Sequence, residues 1–324
     1  MATAIRIHAV GGPEALRIEQ VEVGAPGPGE ARVRHTAIGL NFIDTYHRSG
    51  LYPLALPSGL GMEAAGVVEA IGSGVTQISV GDRVAYASGP VGAYATERLM
   101  SADRLVRLPD DIDDETAAAG MLKGMTVEYL VRRVFAVKPG MTVLFHAAAG
   151  GVGLIACQWL AHLGVTVIGT VGSDEKAALA RAHGCTHPIV YTREDFVQRV
   201  REITGGEGVP VVFDSVGRAT FSGSLDCLRK RGMYVGFGNA SGKPDPLDLG
   251  LLAQKGSLFA TRPTLMDYTH TRAELEASAA ALFEVIRKGA VRIEVRQRFG
   301  LRDAAEAHRT LEARRTTGST LLLP

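Results

Sequence analysis

A glycine-rich turn between an apolar strand and a helix constrains this chain more than any other feature. Apolar residues over 142–145 predict a buried strand, and a helix is expected to follow the turn. Between them, Ala148, Gly150 and Gly153 have the spacing G-x-G-x-x-G, with alanine in the first position. Small residues there let a pyrophosphate approach the backbone and the helix N-terminus. The turn, Gly150, Gly151, Val152 and Gly153, therefore predicts a dinucleotide site; the alternative is a tight turn that binds nothing.

The end of the next strand bears on which dinucleotide binds. An NAD site has Asp or Glu about 20 residues after the glycine turn, where it holds the ribose hydroxyls. Here the strand ends in Gly172 and Ser173, which leave room for a 2′-phosphate, and Lys176 follows as its partner. Asp174 is a competing acid, but its place after Ser173 suits a carboxylate that complements the helix dipole. The sequence therefore favours NADPH over NADH.

Two patterns of periodicity divide the chain. Up to about residue 110, alternating stretches broken by Gly and Pro predict a small, mostly antiparallel β domain, with strands at 16–23, 31–35, 65–71, 83–87 and 93–98. Helical signals follow over 115–135, with interruptions at Gly120 and Gly124. Strands and helices then alternate, which predicts a doubly wound parallel sheet covered by helices on both faces. The expected fold class is α/β with a second, β-rich domain.

The composition excludes several classes of protein. A length of 324 residues suggests two domains. Lys plus Arg total 35 and Asp plus Glu total 34, so the net charge of +1 gives no basic footprint for nucleic acid. No apolar run reaches the ~20 residues that span a bilayer. Cys157, Cys185 and Cys227 form no CxxC pair, which argues against a structural zinc site and favours a reducing, cytoplasmic compartment.

Several blocks of residues are similar to those of one known family. The blocks are Asn41-Phe42-Ile43-Asp44-Thr45-Tyr46, Ser49-Gly50-Leu51-Tyr52-Pro53, residues 146–153, Asp214-Ser215-Val216-Gly217 and Gly236-Phe237-Gly238-Asn239. Over almost its whole length the chain resembles the zinc-independent quinone oxidoreductases of the zeta-crystallin type. These belong to the medium-chain dehydrogenase/reductase superfamily, and the bacterial NADPH:quinone reductase branch is the most similar.

The resemblance implies a fold and an assembly. It implies a GroES-like catalytic domain over residues 1–124 and 263–324, and a Rossmann NADPH-binding domain over 125–262. NADPH would lie in the cleft between them, and two chains would pair through the edges of their Rossmann sheets as a homodimer. Zinc-dependent relatives have a Cys where Asn41 stands and a His where Met62 stands. Neither Asn nor Met replaces those ligands, so we expect no zinc.

The resemblance also assigns cofactor contacts, position by position. Beside the nicotinamide it places Phe42, Ile43, Asp44, Thr126 and Tyr129, and around the adenosine phosphate Gly172, Ser173, Lys176, Tyr191 and Arg314. Val216, Phe237, Gly238, Asn239, Pro263, Thr264 and Leu265 would line the remaining edge. Glu128 departs from the pattern, because relatives often have Tyr there.

A mechanism follows from the expected absence of zinc. A quinone is already a strong hydride acceptor, so the protein needs chiefly to position it against the nicotinamide. Asn41, Tyr46 and Tyr52 are the catalytic candidates for the pocket wall, where a tyrosine hydroxyl could bond the developing oxyanion. Packing is the alternative role for both tyrosines, and solvent is the alternative proton source. NADPH-dependent quinone reduction is the leading hypothesis; the alternatives are a zinc-free enone or enoyl reductase, and a non-catalytic NADPH-binding protein with an RNA-binding or structural role.

Overall fold

The structure is a computed structural model that describes all 324 residues. The chain divides into two compact units. Unit 1 comprises Met1–Met125, Thr269–Arg287 and Ile293–Pro324, and unit 2 comprises Thr126–Tyr268 and Lys288–Arg292. The chain therefore returns to unit 1 at Thr269, and five later residues again belong to unit 2.

Sixteen strands follow one another along the chain. They are β1 Ala2–Ile7, β2 Arg17–Val21, β3 Glu30–Leu40, β4 Ser58–Gly59, β5 Glu63–Ile71, β6 Arg83–Tyr86, β7 Glu97–Ser101, β8 Val106–Arg107, β9 Thr142–Phe145, β10 Thr166–Val171, β11 His187–Val190, β12 Val209–Asp214, β13 Leu228–Gly236, β14 Phe259–Thr261, β15 Val295–Gly300 and β16 Ser319–Leu323.

The chain also forms ten α-helices. They are α1 Phe42–Ser49, α2 Asp114–Tyr129, α3 Gly151–His162, α4 Asp174–Ala182, α5 Phe196–Ile203, α6 Phe221–Asp226, α7 Leu249–Gln254, α8 Leu265–Tyr268, α9 Arg272–Arg287 and α10 Ala304–Glu312. A single π-helical turn, Leu130–Val134, continues α2. None of these helices has the length and apolar character needed to cross a membrane.

Unit 1 is built on two sheets. Seven strands form one of them, in the order β15-β16-β3-β5-β6-β8 with β7 also paired to β3, and β2-β1-β4 form the other. All pairs are antiparallel except β15 with β16, as expected for a mostly antiparallel β domain. Its core contains Ile5, Ile38, Val84, Tyr86 and Leu105, each at most 1% exposed.

Two local predictions for unit 1 were wrong. The strand predicted at 93–98 begins only at Glu97, and Ala95 makes an isolated bridge. The reason is that Tyr94 uses its backbone elsewhere, donating to Leu60 O and accepting from Ile5 N, each at 2.8 Å. The interruptions predicted at Gly120 and Gly124 are also wrong, because α2 is continuous there. A Cβ on Gly124 would lie 2.4 Å from Leu282 Cδ1 in α9, so that glycine allows close helix packing.

Unit 2 contains a parallel sheet of six strands in the order β11-β10-β9-β12-β13-β14. Counted from β9 this is the order 3-2-1-4-5-6 of the Rossmann fold, in which ligands bind at the carboxyl ends of the strands near the point where the order reverses. The strands β9 and β12 at that point are almost fully buried. The predicted doubly wound sheet is therefore confirmed.

Candidate active site

The glycine turn follows β9 and leads directly into α3. Gly150 is the N-cap of α3, and no side chain caps that helix end. The first N–H groups of a helix have no partner inside it, so this N-terminus is suited to an anion. An added Cβ on Gly153 would lie 2.2 Å from Ala147 O, whereas on Gly150 it would meet only Ala147 O, at 3.3 Å. The turn thus packs tightly at Gly153 and stays open at Gly150, as a pyrophosphate cradle requires.

A buried polar network holds this turn in place. His146 Nδ1 lies 2.8 Å from Thr170 Oγ1 and its Nε2 lies 3.0 Å from Ser224 Oγ. Ser224 donates to Asp214 Oδ2, so its oxygen accepts from the His146 Nε2–H and Nδ1 accepts from Thr170. Burial lowers the pKa of His146, which keeps the ring neutral. The network ties the ends of β9, β10 and β12 together beneath the turn, which is a structural role.

The tip of β10 carries no carboxylate. A Cβ on Gly172 would lie 3.0 Å from Tyr191 Oη, so these two predicted cofactor residues are neighbours. Ser173 caps α4 and accepts from the Lys176 backbone N–H at 3.3 Å. Asp174 lies in the first turn of α4 and forms a two-point ion pair with Arg193, at 2.5 and 2.6 Å. The acid that competed with Lys176 in the sequence is therefore engaged on the surface.

The ends of β12 and β13 bring further predicted residues together. Asp214 Oδ1 accepts from the N–H groups of Val216 and Gly217, at 2.7 and 3.1 Å. Phe237 N donates to Asp214 O at 2.8 Å, and its ring lies 5.7 Å from that of Phe145. Gly238 and the buried Asn239 follow directly, so the structure groups the predicted set Val216, Phe237, Gly238 and Asn239 at the carboxyl end of the sheet.

The predicted residues of α2 lie beside an aromatic stack. Thr126 and Tyr129 are buried, and the Tyr129 ring stacks on Tyr268 with centroids 4.6 Å apart. Arg133 lies over the other ring of the pair, 5.1 Å from the Tyr268 centroid. Glu128, the departure from the family pattern, is buried and pairs with Arg133 at 2.9 Å. Of the predicted residues near α8, Pro263 and Leu265 are buried and Thr264 is exposed.

In unit 1, Asn41 belongs to a buried charged cluster. Its Nδ2 donates to Glu63 Oε2 at 2.7 Å, and Lys123 Nζ lies 3.2 Å from the same oxygen. The other oxygen, Glu63 Oε1, accepts from the Leu122 backbone N–H at 2.6 Å. Glu63 is 0% exposed, so the cluster is held in surroundings of low dielectric.

A second network fixes Asp44. Its Oδ2 accepts from the Asn41 N–H at 2.9 Å and from the Tyr94 hydroxyl at 2.8 Å. Arg48 can only donate, so His308 Nδ1 accepts from it at 3.0 Å, and the Nε2–H donates to Tyr94 Oη at 3.1 Å. Burial raises the pKa of Asp44 to about 7, while the Asn41 N–H, Tyr94 and Lys123 lower it. The two hydrogen bonds to Oδ2 thus hold the carboxyl in one orientation.

The remaining predicted residues of unit 1 lie on or after α1, except Arg314. The Tyr46 ring packs edge-on against Tyr52 with centroids 5.2 Å apart, and tilted against Phe42 at 5.7 Å. Tyr46 is buried, whereas Ile43 and Tyr52 are half-buried. Arg314 follows α10 as an exposed residue with a φ of 57°.

Comparison with known proteins agrees with this geometry. A model of the alcohol dehydrogenase GroES-like domain matches residues 27–110, and a model described as zinc-binding dehydrogenase matches residues 151–277. A quinone oxidoreductase of Pseudomonas aeruginosa is 58% identical over 325 residues, covering 100% of both chains. The chain belongs to the quinone oxidoreductase family. The family resemblance inferred from the sequence is thereby confirmed, as is membership of the medium-chain dehydrogenase/reductase superfamily.

A solved structure and a second related protein are also similar to this chain over at least 99% of its length. The structure of Escherichia coli quinone oxidoreductase complexed with NADPH has a TM-score of 0.98 and 51% identity, covering 99% of this chain and 100% of that one. A 2-haloacrylate reductase of Burkholderia sp is 50% identical over 334 residues, covering 100% of this chain and 99% of that protein. Proteins with different acceptors therefore share this fold and about half of these residues.

Sequence reasoning missed the polar partners of the predicted residues. Glu63, Lys123, Arg48, Tyr94 and His308 were not among the predicted site residues. Their partners lie far away in the chain: Lys123 is 60 residues from Glu63, and His308 is 260 from Arg48. No local pattern signals such a pair. No group of three His, Cys, Asp or Glu side chains is placed to hold a metal ion.

Proposed function

We propose that this protein reduces quinones with NADPH by hydride transfer, without zinc. The observation that carries the proposal is the glycine turn at the N-terminus of α3, next to a strand, β10, that ends without a carboxylate. The relatives support the reaction: the P. aeruginosa protein is named quinone oxidoreductase, and the E. coli enzyme was solved in complex with NADPH. The chain is related to both over its whole length.

The proposed nucleotide contacts lie in unit 2. The N–H groups of Gly151 and Val152 would hold the pyrophosphate, with Gly150 and Gly153 shaping the turn. Gly172, Ser173, Lys176 and Tyr191 would surround the adenosine 2′-phosphate, and Lys176 supplies the positive charge. Because Asp174 is paired with Arg193, that carboxylate does not compete for the phosphate. This arrangement favours NADPH over NADH.

The other cofactor contacts are proposed from the family pattern. They are Phe42, Ile43, Asp44, Thr126 and Tyr129 near the nicotinamide, Val216, Phe237, Gly238, Asn239, Pro263, Thr264 and Leu265 along the edge, and Arg314 at the phosphate. Three contacts support these assignments: the buried Tyr129 stacks on Tyr268, Phe42 packs against Tyr46, and the Val216 N–H donates to Asp214.

The mechanism uses positioning more than acid–base chemistry. NADPH, when bound, supplies a hydride from its nicotinamide. The chain must hold a quinone against that ring and exclude water, which converts a bimolecular step into a unimolecular one. Asn41, Tyr46 and Tyr52 are proposed to form the wall that orients the quinone. Asn41 is well suited to this, since Glu63 fixes the orientation of its amide.

Three further proposals concern the setting of the enzyme. Zinc independence is supported by Asn41 and the buried Met62, which present an amide and a thioether rather than a thiolate and an imidazole. A reducing, cytoplasmic location is supported by three cysteines that are all free and buried. Homodimerisation is supported by β14, one of the two edge strands of the parallel sheet, where Phe259 is 57% exposed.

A second candidate reaction is the reduction of activated double bonds. The 2-haloacrylate reductase that is 50% identical to this chain favours it, because its name specifies an unsaturated acid as the substrate. Hydride addition to an enone and to a quinone places negative charge on a carbonyl oxygen in the same way. The two candidates therefore require the same cofactor site and differ in the acceptor.

The test is a panel of acceptors with the purified protein in the presence of a chelator. Loss of the nicotinamide absorbance would be followed with NADPH and with NADH, using 1,4-benzoquinone, an enone, 2-chloroacrylate and a simple ketone. The proposal predicts fastest turnover with the quinone, a preference for NADPH, and no effect of the chelator. Turnover of the enone or 2-chloroacrylate but not of the quinone would establish the second candidate instead, and loss of activity to the chelator would refute zinc independence.

A further inference from the structure

Lys123 and Glu63 form an ion pair that is almost completely withdrawn from water. The side chain of Lys123 in α2 is 6% exposed and that of Glu63 in β5 is 0% exposed. Removing two charges from water is expensive, and the pair is tolerated only where further hydrogen bonds satisfy both groups. A count of those hydrogen bonds shows that they are unevenly distributed.

Glu63 accepts hydrogen bonds from three donors, whereas Lys123 donates to a single acceptor. Glu63 accepts from the Leu122 N–H at 2.6 Å, from Asn41 Nδ2 at 2.7 Å and from Lys123 Nζ at 3.2 Å. An ammonium group has three N–H donors and no acceptor, and Glu63 is the acceptor that the structure gives to Lys123. The Asn41 amide donates to the same oxygen at a shorter distance, and two of the three Lys123 N–H donors have no acceptor in the structure. The ammonium group is suited to an oxygen that the protein itself does not supply.

We propose that Lys123 is a catalytic residue that donates a hydrogen bond to the substrate carbonyl oxygen and stabilises the negative charge that hydride transfer places there. Glu63 is a positioning residue in this scheme, because it holds the ammonium group and the Asn41 amide on one oxygen. The inference rests on the proposed function, because it requires an acceptor whose oxygen becomes an anion.

The chemistry balances without any covalent role for the lysine. The hydride would bring two electrons and one hydrogen nucleus to the quinone: a C–H bond of the reduced nicotinamide breaks, an O–H bond forms at one quinone oxygen, and the opposite oxygen carries the negative charge of the hydroquinone monoanion. That anion takes one proton from solvent to become the hydroquinone. Lys123 remains an ammonium throughout and lowers the barrier by its charge, an effect that is strongest in a dry site of low dielectric. A preorganised donor of this kind contributes about 10²–10³-fold to kcat.

The location of Lys123 supports its assignment to the reaction. It shares its acceptor with Asn41, the residue proposed for the pocket wall, and it precedes Thr126 by three residues, so the two lie on neighbouring positions of one helix face. Asp44 also interacts electrostatically with Lys123, which lowers the pKa of that carboxyl. The cation thus lies among the residues proposed to surround the reacting ring in unit 1.

The experiment must separate an effect on catalysis from an effect on stability, because Lys123→Met alone leaves the buried Glu63 carboxylate without its cation. We would compare it with the double variant Lys123→Met/Glu63→Gln, in which both charges are removed, and with Lys123→Arg, which keeps the cation. Lys255→Met, which removes the lysine of the Lys255–Asp226 pair in unit 2, is the matched control. The measurements are thermal unfolding, Kd for NADPH by fluorescence, and kcat with 1,4-benzoquinone.

The double variant decides the question. The proposal predicts that it recovers the thermal stability lost in Lys123→Met, binds NADPH with a Kd within about threefold of the wild type, and still has a kcat about 10²-fold lower. Lys123→Arg should retain more kcat than the double variant, and Lys255→Met should retain all of it. Recovery of kcat together with stability in the double variant would show that Lys123 is only structural. A raised Kd for NADPH with unchanged kcat would overturn the proposal in favour of cofactor binding. A wild-type protein inactive with every acceptor would instead refute the proposed function itself.

Discussion

Two glycines of the same turn are expected to respond in opposite ways to alanine. Gly153→Ala adds a Cβ that would lie 2.2 Å from Ala147 O and 2.6 Å from Ala148 C. Comfortable contacts between carbon and its neighbours are about 3.5 Å, so the backbone must move by about 1 Å. Gly150→Ala meets only Ala147 O at 3.3 Å, in a backbone conformation with φ −80° that any residue adopts.

The expected cost for Gly153→Ala follows from two opposing effects. Overpacking in a rigid environment costs about 1–3 kcal/mol. Alanine is more favourable than glycine within a helix by about 0.5–1 kcal/mol. The net loss is about 2 kcal/mol at the upper end, or a fall in Tm of about 4–8 °C for a unit of this size. Gly150→Ala should shift Tm by less than about 3 °C, since a helix N-cap alanine is only mildly unfavourable.

Gly150→Ala, which should hardly change the thermal stability, is expected to weaken the binding of NADPH. Its methyl group would project where the pyrophosphate approaches the backbone, and we expect Kd for NADPH to rise at least about tenfold. Thermal unfolding and a fluorescence titration with NADPH measure the two quantities on the same samples. If Gly153→Ala unfolds at the wild-type temperature, the close packing at that position is not real. Wild-type affinity in Gly150→Ala would mean that the pyrophosphate lies elsewhere.

Two other predictions concern charged residues of the proposed site. Lys176→Ala should raise Kd for NADPH at least about tenfold and leave Kd for NADH nearly unchanged, because only NADPH carries the 2′-phosphate; equal changes in both titrations would contradict the phosphate assignment. The pKa of Asp44 is raised from 3.8 to about 7 on folding, so the folded protein binds this proton more tightly and loses stability as pH rises through that window. Asp44→Asn has no carboxyl to titrate and therefore lacks this loss. Its free energy of unfolding minus that of the wild type, both measured with urea, should rise between pH about 4 and about 7. A difference that stays constant or falls with pH would refute the inferred titration.

The glycine turn and the parallel sheet could be predicted because their signals are local. Small residues at Ala148, Gly150 and Gly153 lie within one turn, and the alternation of strands and helices extends over most of unit 2. The first helix, α1, was not predicted from periodicity. It spans only eight residues and begins directly after β3 and its N-cap Asn41, so it is too short to show a clear helical period.

Contacts between distant residues account for what the sequence could not reveal. A lone lysine such as Lys123 ordinarily indicates a solvated helix face, and only the fold shows that it is buried against Glu63. The same holds for His308, which the sequence offers as an isolated histidine and the structure connects to Arg48 and Tyr94. Burial and pairing across 60 to 260 residues are products of the tertiary fold.

The most direct test of the account is the stoichiometry of the proposed reaction. Purified protein would be mixed with NADPH and 1,4-benzoquinone in the absence of oxygen, and NADPH and hydroquinone would be quantified in the same samples. Transfer of a hydride predicts one hydroquinone formed for each NADPH consumed, at a rate proportional to protein concentration. NADPH that binds but is not consumed by any quinone would contradict the central claim that this chain is a quinone reductase.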